Sequence, residues 1–350
     1  MFFKSKRLIG LDIGSSSIKI AEVEHGRNGA ELLSFGMAPT PPGAVSGGEI
    51  LDVASVSTTI RVLLSELRTN RKNICTGMWG TAVIVKKITI PKIDKKLIKD
   101  QIRFEAEQYI PFDSNNINLA YNVLPSSSSQ DTMDLVLIAA QNELIRQYTQ
   151  AVESAGYNCS VIDVSGFGLA NNFELNYRKY TNEAIGLLNF GASVTNFVVL
   201  DKGEVIFCRD IPVGGANYTN EIHKSLGITL HEAESLKLSA VLKKEVPDEV
   251  HSIISATNET ITEEVKGSVD FLMASNAGVN LNRCFFTGGS SATPGLVQNI
   301  SQSLGVNLES FNPFQKIKVS PKKFSPQYLA QIAPFAGVVL GLALRKMGDS

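Results

Sequence analysis

The chain has 350 residues, 43% hydrophobic and 19% charged, which is enough apolar content to fill the cores of two or more domains and excludes a disordered chain. Its 33 basic residues are offset by 34 acidic ones for a net charge of −1, which removes the broad electrostatic footprint of a protein that coats nucleic acid. Neither a zinc site nor a disulfide frame is indicated: Cys75, Cys159, Cys208 and Cys284 lie far apart with no CxxC or Cys/His spacing, and a reducing cytoplasm fits them.

Met1 to Arg7 is basic, but the apolar run behind it, Leu8 to Ile13, is too short and broken for the h-region of a signal peptide. Leu8 to Gly14 reads as a buried strand, Ser15 to Ser17 as a tight hydroxyl-rich turn, and Ile18, Ile20 and Val23 as the returning strand. After a Pro/Gly loop from Pro39 to Gly48, Val53, Val56, Ile60, Leu63, Leu64 and Leu67 recur at helical spacing on one face. Val83 to Ile90 is a β-branched strand ended by Pro91, and Leu97, Ile98, Ile102, Ala106 and Tyr109 mark an amphipathic helix closed before Pro111. A strand near Asn118 to Leu124, a polar turn at Pro125 and Ser126 to Ser129, a strand at Leu135 to Ala140, a helix at Glu143 to Ala155 and a strand at Val161 to Val164 follow.

The opening hairpin then recurs. Ile185 to Phe190, a turn at Gly191 to Thr195 and Phe197 to Leu200 repeat the order apolar strand, Asp or Asn, small or hydroxyl turn, apolar strand, about half a chain later; Glu204 to Arg209 adds a third strand. Past Gly214 and Gly215 the signal is helical until the short strand Arg283 to Thr287, which runs into Gly288-Gly289-Ser290 and a helix near Pro294. The apolar stretch Ile332 to Leu344 contains Pro334 and falls short of the roughly 20 residues that span a bilayer, so Leu329 to Lys346 is read as a helix buried on the first lobe.

Three glycine-containing turns, each ending an apolar strand, carry the chemistry. Successive backbone N–H groups in such a turn make an anion concavity, and Gly or Ser permits the close approach that phosphate needs. Ser15, Ser16 and Ser17 are placed to grip a β- or γ-phosphate, Lys19 to neutralise charge, and Asp12 to hold a hydrated Mg²⁺. Gly191, Ala192 and Thr195 close from the other side, with Asn189 where the first copy has Asp12; Gly288, Gly289 and Ser290 lie against adenosine, flanked by a helix carrying Glu234 and Lys237. The expectation is one ATP held between two lobes. Neither GxxxxGKS nor GxGxxG occurs, so the P-loop and Rossmann readings find no support.

In this order the three turns resemble those of the actin/Hsp70/sugar-kinase superfamily, and within it the chain looks like the PilM family of type IV pilus assembly more than the FtsA division proteins. The closer resemblance lies in Thr40 to Val45 with Gly48-Glu49-Ile50, Glu105 to Phe112, Glu232 to Lys237, Glu264 to Phe271 and Gly337 to Arg345. It implies an α/β, actin-like, ribonuclease-H-type two-lobed fold with four subdomains. Residues 1–84, 161–182 and 330–350 form the first ribonuclease-H-like subdomain, 85–160 a small inserted one, 183–215 with 277–329 the second, and 216–276 a helical one flanking the nucleotide. It also implies a partner, the N-terminal cytoplasmic tail of a PilN-like membrane protein, in a groove between the first and inserted subdomains. Arg103, Glu107, Tyr109 and Phe112 surround the family-specific Tyr-Ile-Pro-Phe element and are the candidates for that groove. By the same resemblance, Gln141 stands about where actin keeps a water-orienting glutamine.

Asn189 in place of a carboxylate weakens hydrolysis more than binding, so turnover is expected to be slow or absent. The histidines, His25, His223, His231 and His251, lack HxxxH or HExxH spacing, and no GxSxG occurs. A nucleotide-dependent scaffold at the inner face of the inner membrane, reaching the membrane only through its partner, is the leading expectation. A small-molecule kinase, which would want a carboxylate base in the cleft, and an FtsA-like filament former, which would pellet with ATP, are the alternatives.

Overall fold

Every residue of the first strand, β1 (Ile9–Ile13), is buried, because the strand runs through the middle of a sheet covered on both faces. The computed structural model describes residues 7–26, 29–94, 96–124, 131–180, 182–276 and 278–348, and the turn expected at Pro125 and Ser126 to Ser129 lies outside them. β2 (Ser17–Gly26) and β3 (Gly29–Pro39) complete an antiparallel meander, followed by a short hairpin, β4 (Val45–Ser46) and β5 (Glu49–Ile50). Asp52 caps α1 (Val53–Glu66) by accepting the Ser55 N–H at 3.0 Å, and the helix buries Val56, Ile60, Leu63 and Leu64. β6 (Asn73–Met78) then joins β1 in parallel.

The inserted unit consists of β7 (Val83–Pro91), α2 (Ile98–Tyr109), β8 (Ile117–Leu124) and β9 (Thr132–Gln141), a three-stranded sheet in the order β7-β9-β8. Its own apolar core packs Ile98, Ile102 and Ala106 of α2 against Leu135, Leu137 and Ala139. The chain returns through α3 (Asn142–Ser154), β10 (Asn158–Val164), which extends the first sheet beside β6, and α4 (Ser165–Asn176). Leu144, Tyr148, Ala151 and Val152 of α3 belong to the core under β1, β2 and α1. The inserted unit therefore ends at β9, and α3 is part of the first lobe rather than of a segment running to residue 160, since its apolar face is buried there.

β11 (Ile185–Phe190), β12 (Thr195–Asp201) and β13 (Glu204–Ile211) repeat the meander. Helices α5 (Gly215–Leu226), α6 (Leu230–Val241) and α7 (Asp248–Ser275) follow, then β14 (Arg283–Thr287), α8 (Leu296–Leu304) and β15 (Asn307–Ser310). The second sheet reads β13-β12-β11-β14-β15 and the first β3-β2-β1-β6-β10, with the same antiparallel and parallel pairings, so the lobes are structural repeats. β16 (Ile317–Val319) pairs in parallel with β3 and adds a sixth strand to the first sheet. This corrects the assignment of residues 277–329 wholly to the second lobe.

The last helix, α9 (Pro326–Ala343), has the length and hydropathy of a membrane span, yet Ile332 and Ala336 to Ala343 are buried. It lies beside α4, and the two fill the space between the sheets. Their contact is backbone on backbone: a Cβ on Gly341 would sit 1.6 Å from the Gly168 carbonyl oxygen, so only glycine permits this approach.

Candidate functional site

The hairpin turns Gly14–Ser17 and Gly191–Val194 are closed by the same bond. The Gly14 N–H donates to the Ser17 carbonyl at 3.1 Å and the Gly191 N–H to the Val194 carbonyl at 2.9 Å. The Ser193 hydroxyl donates to the Ser15 hydroxyl at 2.6 Å, so the two turns meet across the cleft. β14 delivers the third corner. Gly288 has φ +97°, and a Cβ there would lie 2.3 Å from the Phe190 carbonyl oxygen; the next turn sends the Ser290 hydroxyl to the Gly191 carbonyl at 2.8 Å.

These corners enclose an interlobe cavity of about 870 Å³, a size suited to a nucleotide. Asp12, Ser15, Ser16, Ser17, Lys19, Asn189, Gly191, Glu234, Lys237, Gly288, Gly289 and Ser290 all line it. At one end Lys19 Nζ donates to Asp12 Oδ2 at 2.9 Å, both side chains being largely hidden. At the other, Lys237 Nζ donates to Glu234 Oε2 at 2.6 Å and to the Thr219 hydroxyl at 3.1 Å, and Thr219 also donates to Glu234. Two cations thus face the cavity, each held in place by its own carboxylate. Among the described residues no group of three His, Cys, Asp or Glu side chains could hold a metal alone. A Mg²⁺ here would be carried by phosphate and water beside Asp12.

Thr195 is the exception among the expected cofactor residues. It opposes Phe190 at the foot of the hairpin, is fully buried, and donates its hydroxyl to the Val213 carbonyl at 2.8 Å. The turn itself ends one residue earlier, so Ser193 is the hydroxyl that faces the cleft. Gln141 does not line the cavity either: it ends β9 in the inserted sheet, and its N–H donates to the Ala82 carbonyl. β10 of the first lobe does end at the cleft, and the residue after it, Ser165, lines the cavity. Among the described residues the buried Ser165 hydroxyl finds no hydrogen-bond partner, at the start of a helix without a side-chain cap.

On the inserted unit, Arg103 and Glu107 are exposed, whereas Tyr109 and Phe112 pack partly against its core and Lys86 Nζ sits 4.6 Å from the centre of the Tyr109 ring. Phe104 beside them is 75% exposed. Residues that the motif reading did not reach include Thr219, Leu238, Val241 and Phe335, which line the cavity near Lys237 and Gly289. Leu238 and Val241 lie on α6 and Phe335 on α9, away in sequence from the three glycine turns, and Thr219 lies on α5, four residues after Gly215.

Burial raises the Asp210 carboxyl above the ordinary range for aspartate, opposed by hydrogen bonds from the Gly80 N–H and the Asn196 amide. Gly80 lies in the first lobe and Asp210 in the second, so this carboxylate ties the lobes behind the cavity at 2.6 Å.

The sequence model of a family described as type IV pilus assembly protein PilM matches residues 10–347. A chain of the PilM-PilN type IV pilus biogenesis complex superposes with a TM-score of 0.88 at 29% identity, covering 98% of this chain and 99% of that one. MreB5 of Spiroplasma citri bound to ADP superposes at 0.53 with 10% identity, over 88% of this chain and 92% of that one, a likeness of fold alone. The cell division protein FtsA of Bacillus subtilis (strain 168) is 22% identical over 351 residues, 87% of this chain and 78% of FtsA. The fold is the two-lobed actin-like one, and with a family match over nearly the whole length this chain belongs to the PilM family of type IV pilus assembly proteins.

Proposed function

We propose that the protein binds Mg-ATP in the interlobe cleft and serves as a scaffold of type IV pilus assembly at the cytoplasmic face of the inner membrane, receiving the N-terminal tail of a PilN-like membrane protein. The nucleotide half is carried by the convergence of three glycine corners and two paired lysines on one cavity. The partner half is carried by the 0.88 superposition on a chain of the PilM-PilN complex.

Ser15 to Ser17 and Gly191 to Ser193 would grip the phosphates with backbone N–H and hydroxyl donors. Lys19 would meet their charge, and Asp12 the water shell of the cation, whose chemistry is to neutralise the phosphate oxygens. The apolar Leu238, Val241 and Phe335 suit a purine, with Gly288 and Gly289 letting the backbone close on it. Turnover is slow or absent in this reading, since among the described residues Asp12 is the carboxylate that lines the phosphate end and Asn189 takes the matching place in the second hairpin. Other pilus platform or motor proteins are further partners in this reading.

In this reading the tail peptide takes a groove between the first lobe and the inserted unit, with Arg103 and Glu107 as the exposed candidates and Tyr109 and Phe112 shaping the element that carries them. Nucleotide and peptide affinities are then linked reciprocally. Calorimetry with a PilN-like tail peptide, on apo and Mg-ATP-loaded protein, tests this: affinities that differ support the reading, and equal affinities sink the coupling. Absence of peptide binding in both states sinks the scaffold role.

A further inference from the structure

Asn189, Asn196 and Asp210 stand directly opposite one another on β11, β12 and β13, one row across the second sheet. Asn189 and Asn196 line the cleft. Asn189 Nδ2 donates to Asn196 Oδ1 at 2.7 Å, and Asn196 Nδ2 donates to Asp210 Oδ1 at 2.6 Å. The far oxygen of Asp210 takes the Gly80 N–H from the other lobe at 2.6 Å.

This row has a direction. A carboxylate can only accept, so Asn196 must turn its NH₂ towards Asp210 and is left with its carbonyl oxygen for Asn189. Asn189 must then spend an N–H on Asn196, which fixes the orientation of its own carbonyl oxygen. Turning either amide over would set oxygen against oxygen, so the order follows from the anion at the end of the row. In the first lobe the equivalent position, second from the end of its hairpin, is Asp12, whose neighbour on the next strand is Lys19. One lobe thus offers a carboxylate damped by an ammonium, and the other a neutral amide oriented by a carboxylate two strands away. A neutral acceptor brings no further negative charge towards a triphosphate.

We infer that Asn196 and Asp210 are positioning residues that hold Asn189 as a hydrogen-bond acceptor for a water of the divalent cation on a bound nucleotide, while Asp210 fastens the same row to Gly80 of the first lobe. The inference rests on the nucleotide reading above. It gives Asn189 a constructive role in place of that of a missing carboxylate, and makes its orientation depend on a residue that does not touch the cleft.

The test is calorimetric titration with ATP in excess MgCl₂ and again in EDTA, the ratio of the two affinities being the Mg²⁺ gain. Asp210→Asn frees the row to run in either direction and should lower the gain about tenfold, the scale of one hydrogen bond in a charged setting. Asn196→Leu, which cuts the row in the middle, should do the same should Asp210→Asn fold poorly. Adding Asn189→Asp to Asp210→Asn should restore the gain, because a carboxylate accepts whichever way it turns and Asn196 can reverse to donate to it. Equal losses with and without Mg²⁺, or no rescue by Asn189→Asp, would make the row a structural brace and overturn the inference. Wild-type protein that binds ATP without any Mg²⁺ gain overturns the inference and leaves nucleotide binding intact. No ATP binding at all overturns both.

Discussion

Replacing Asp12 by Asn separates two roles that the structure gives that carboxylate. In the apo protein it neutralises Lys19 at 2.9 Å, with both side chains only 12% exposed. Removing one partner of a fully buried pair costs about 3–5 kcal/mol, and an edge of solvent lowers the expectation here to about 2 kcal/mol. At about 2.1 cal/mol/K of unfolding entropy per residue, that loss lowers the melting temperature by roughly 3 °C. In the complex, Asp12 is expected to face the hydrated cation, and its loss should cost about 2 kcal/mol, or close to thirtyfold in Mg-ATP affinity. ATP in EDTA behaves differently, since Lys19 is now free to meet a phosphate, and its affinity should hold or rise. Scanning calorimetry on apo protein and titration calorimetry with both forms of ATP read these effects separately. Equal weakening of both forms, or no change in either, would refute the assignment of Asp12 to the cation.

Gly288→Ala sets a Cβ against the Phe190 backbone at a backbone conformation, φ 97° and ψ 147°, that costs an L-residue about 1–3 kcal/mol even without the clash. Because that corner faces adenosine in this reading, ATP and ADP affinities should fall by the same factor, and titration with each checks it. Thr195→Val removes a buried hydrogen bond to the Val213 carbonyl and should cost about 1–2 kcal/mol in urea unfolding while Mg-ATP affinity stays unchanged. The raised pKa of Asp210 fixes a pH trend. Its favourable contribution is fully present below the ordinary carboxylate pKa of about 3.9 and is lost as pH rises through the higher folded value. The melting temperature of Asp210→Asn should therefore gain on that of the wild type as pH rises above about 4.

The two hairpins and the glycine corner were legible because each pairs a strongly apolar strand with a turn whose residues have few other uses. The same logic failed by one residue at Thr195, where the turn closes at Val194 and strand alternation sends the hydroxyl into the core. α4 carried no local signal: Ser165 to Asn176 contains two glycines and three asparagines, poor helix formers held in place by α9 and both sheets. Without α4, the junction at Ser165 was invisible, and Gln141 at the end of a different strand took its place. β16 was likewise hidden, since three residues from Ile317 to Val319 become a strand only through β3, nearly 300 positions earlier. The Asn189 row needed the register of three strands, which no spacing of residues along the chain discloses.

Crystals grown with Mg-ATP test the central claim most directly. The triphosphate should lie between Gly14–Ser17 and Gly191–Val194, with the purine against Gly288 to Ser290 and Lys237 beside the ribose. A saturated protein whose nucleotide sits on the face of a single lobe, with the interlobe cavity left to solvent, would contradict it.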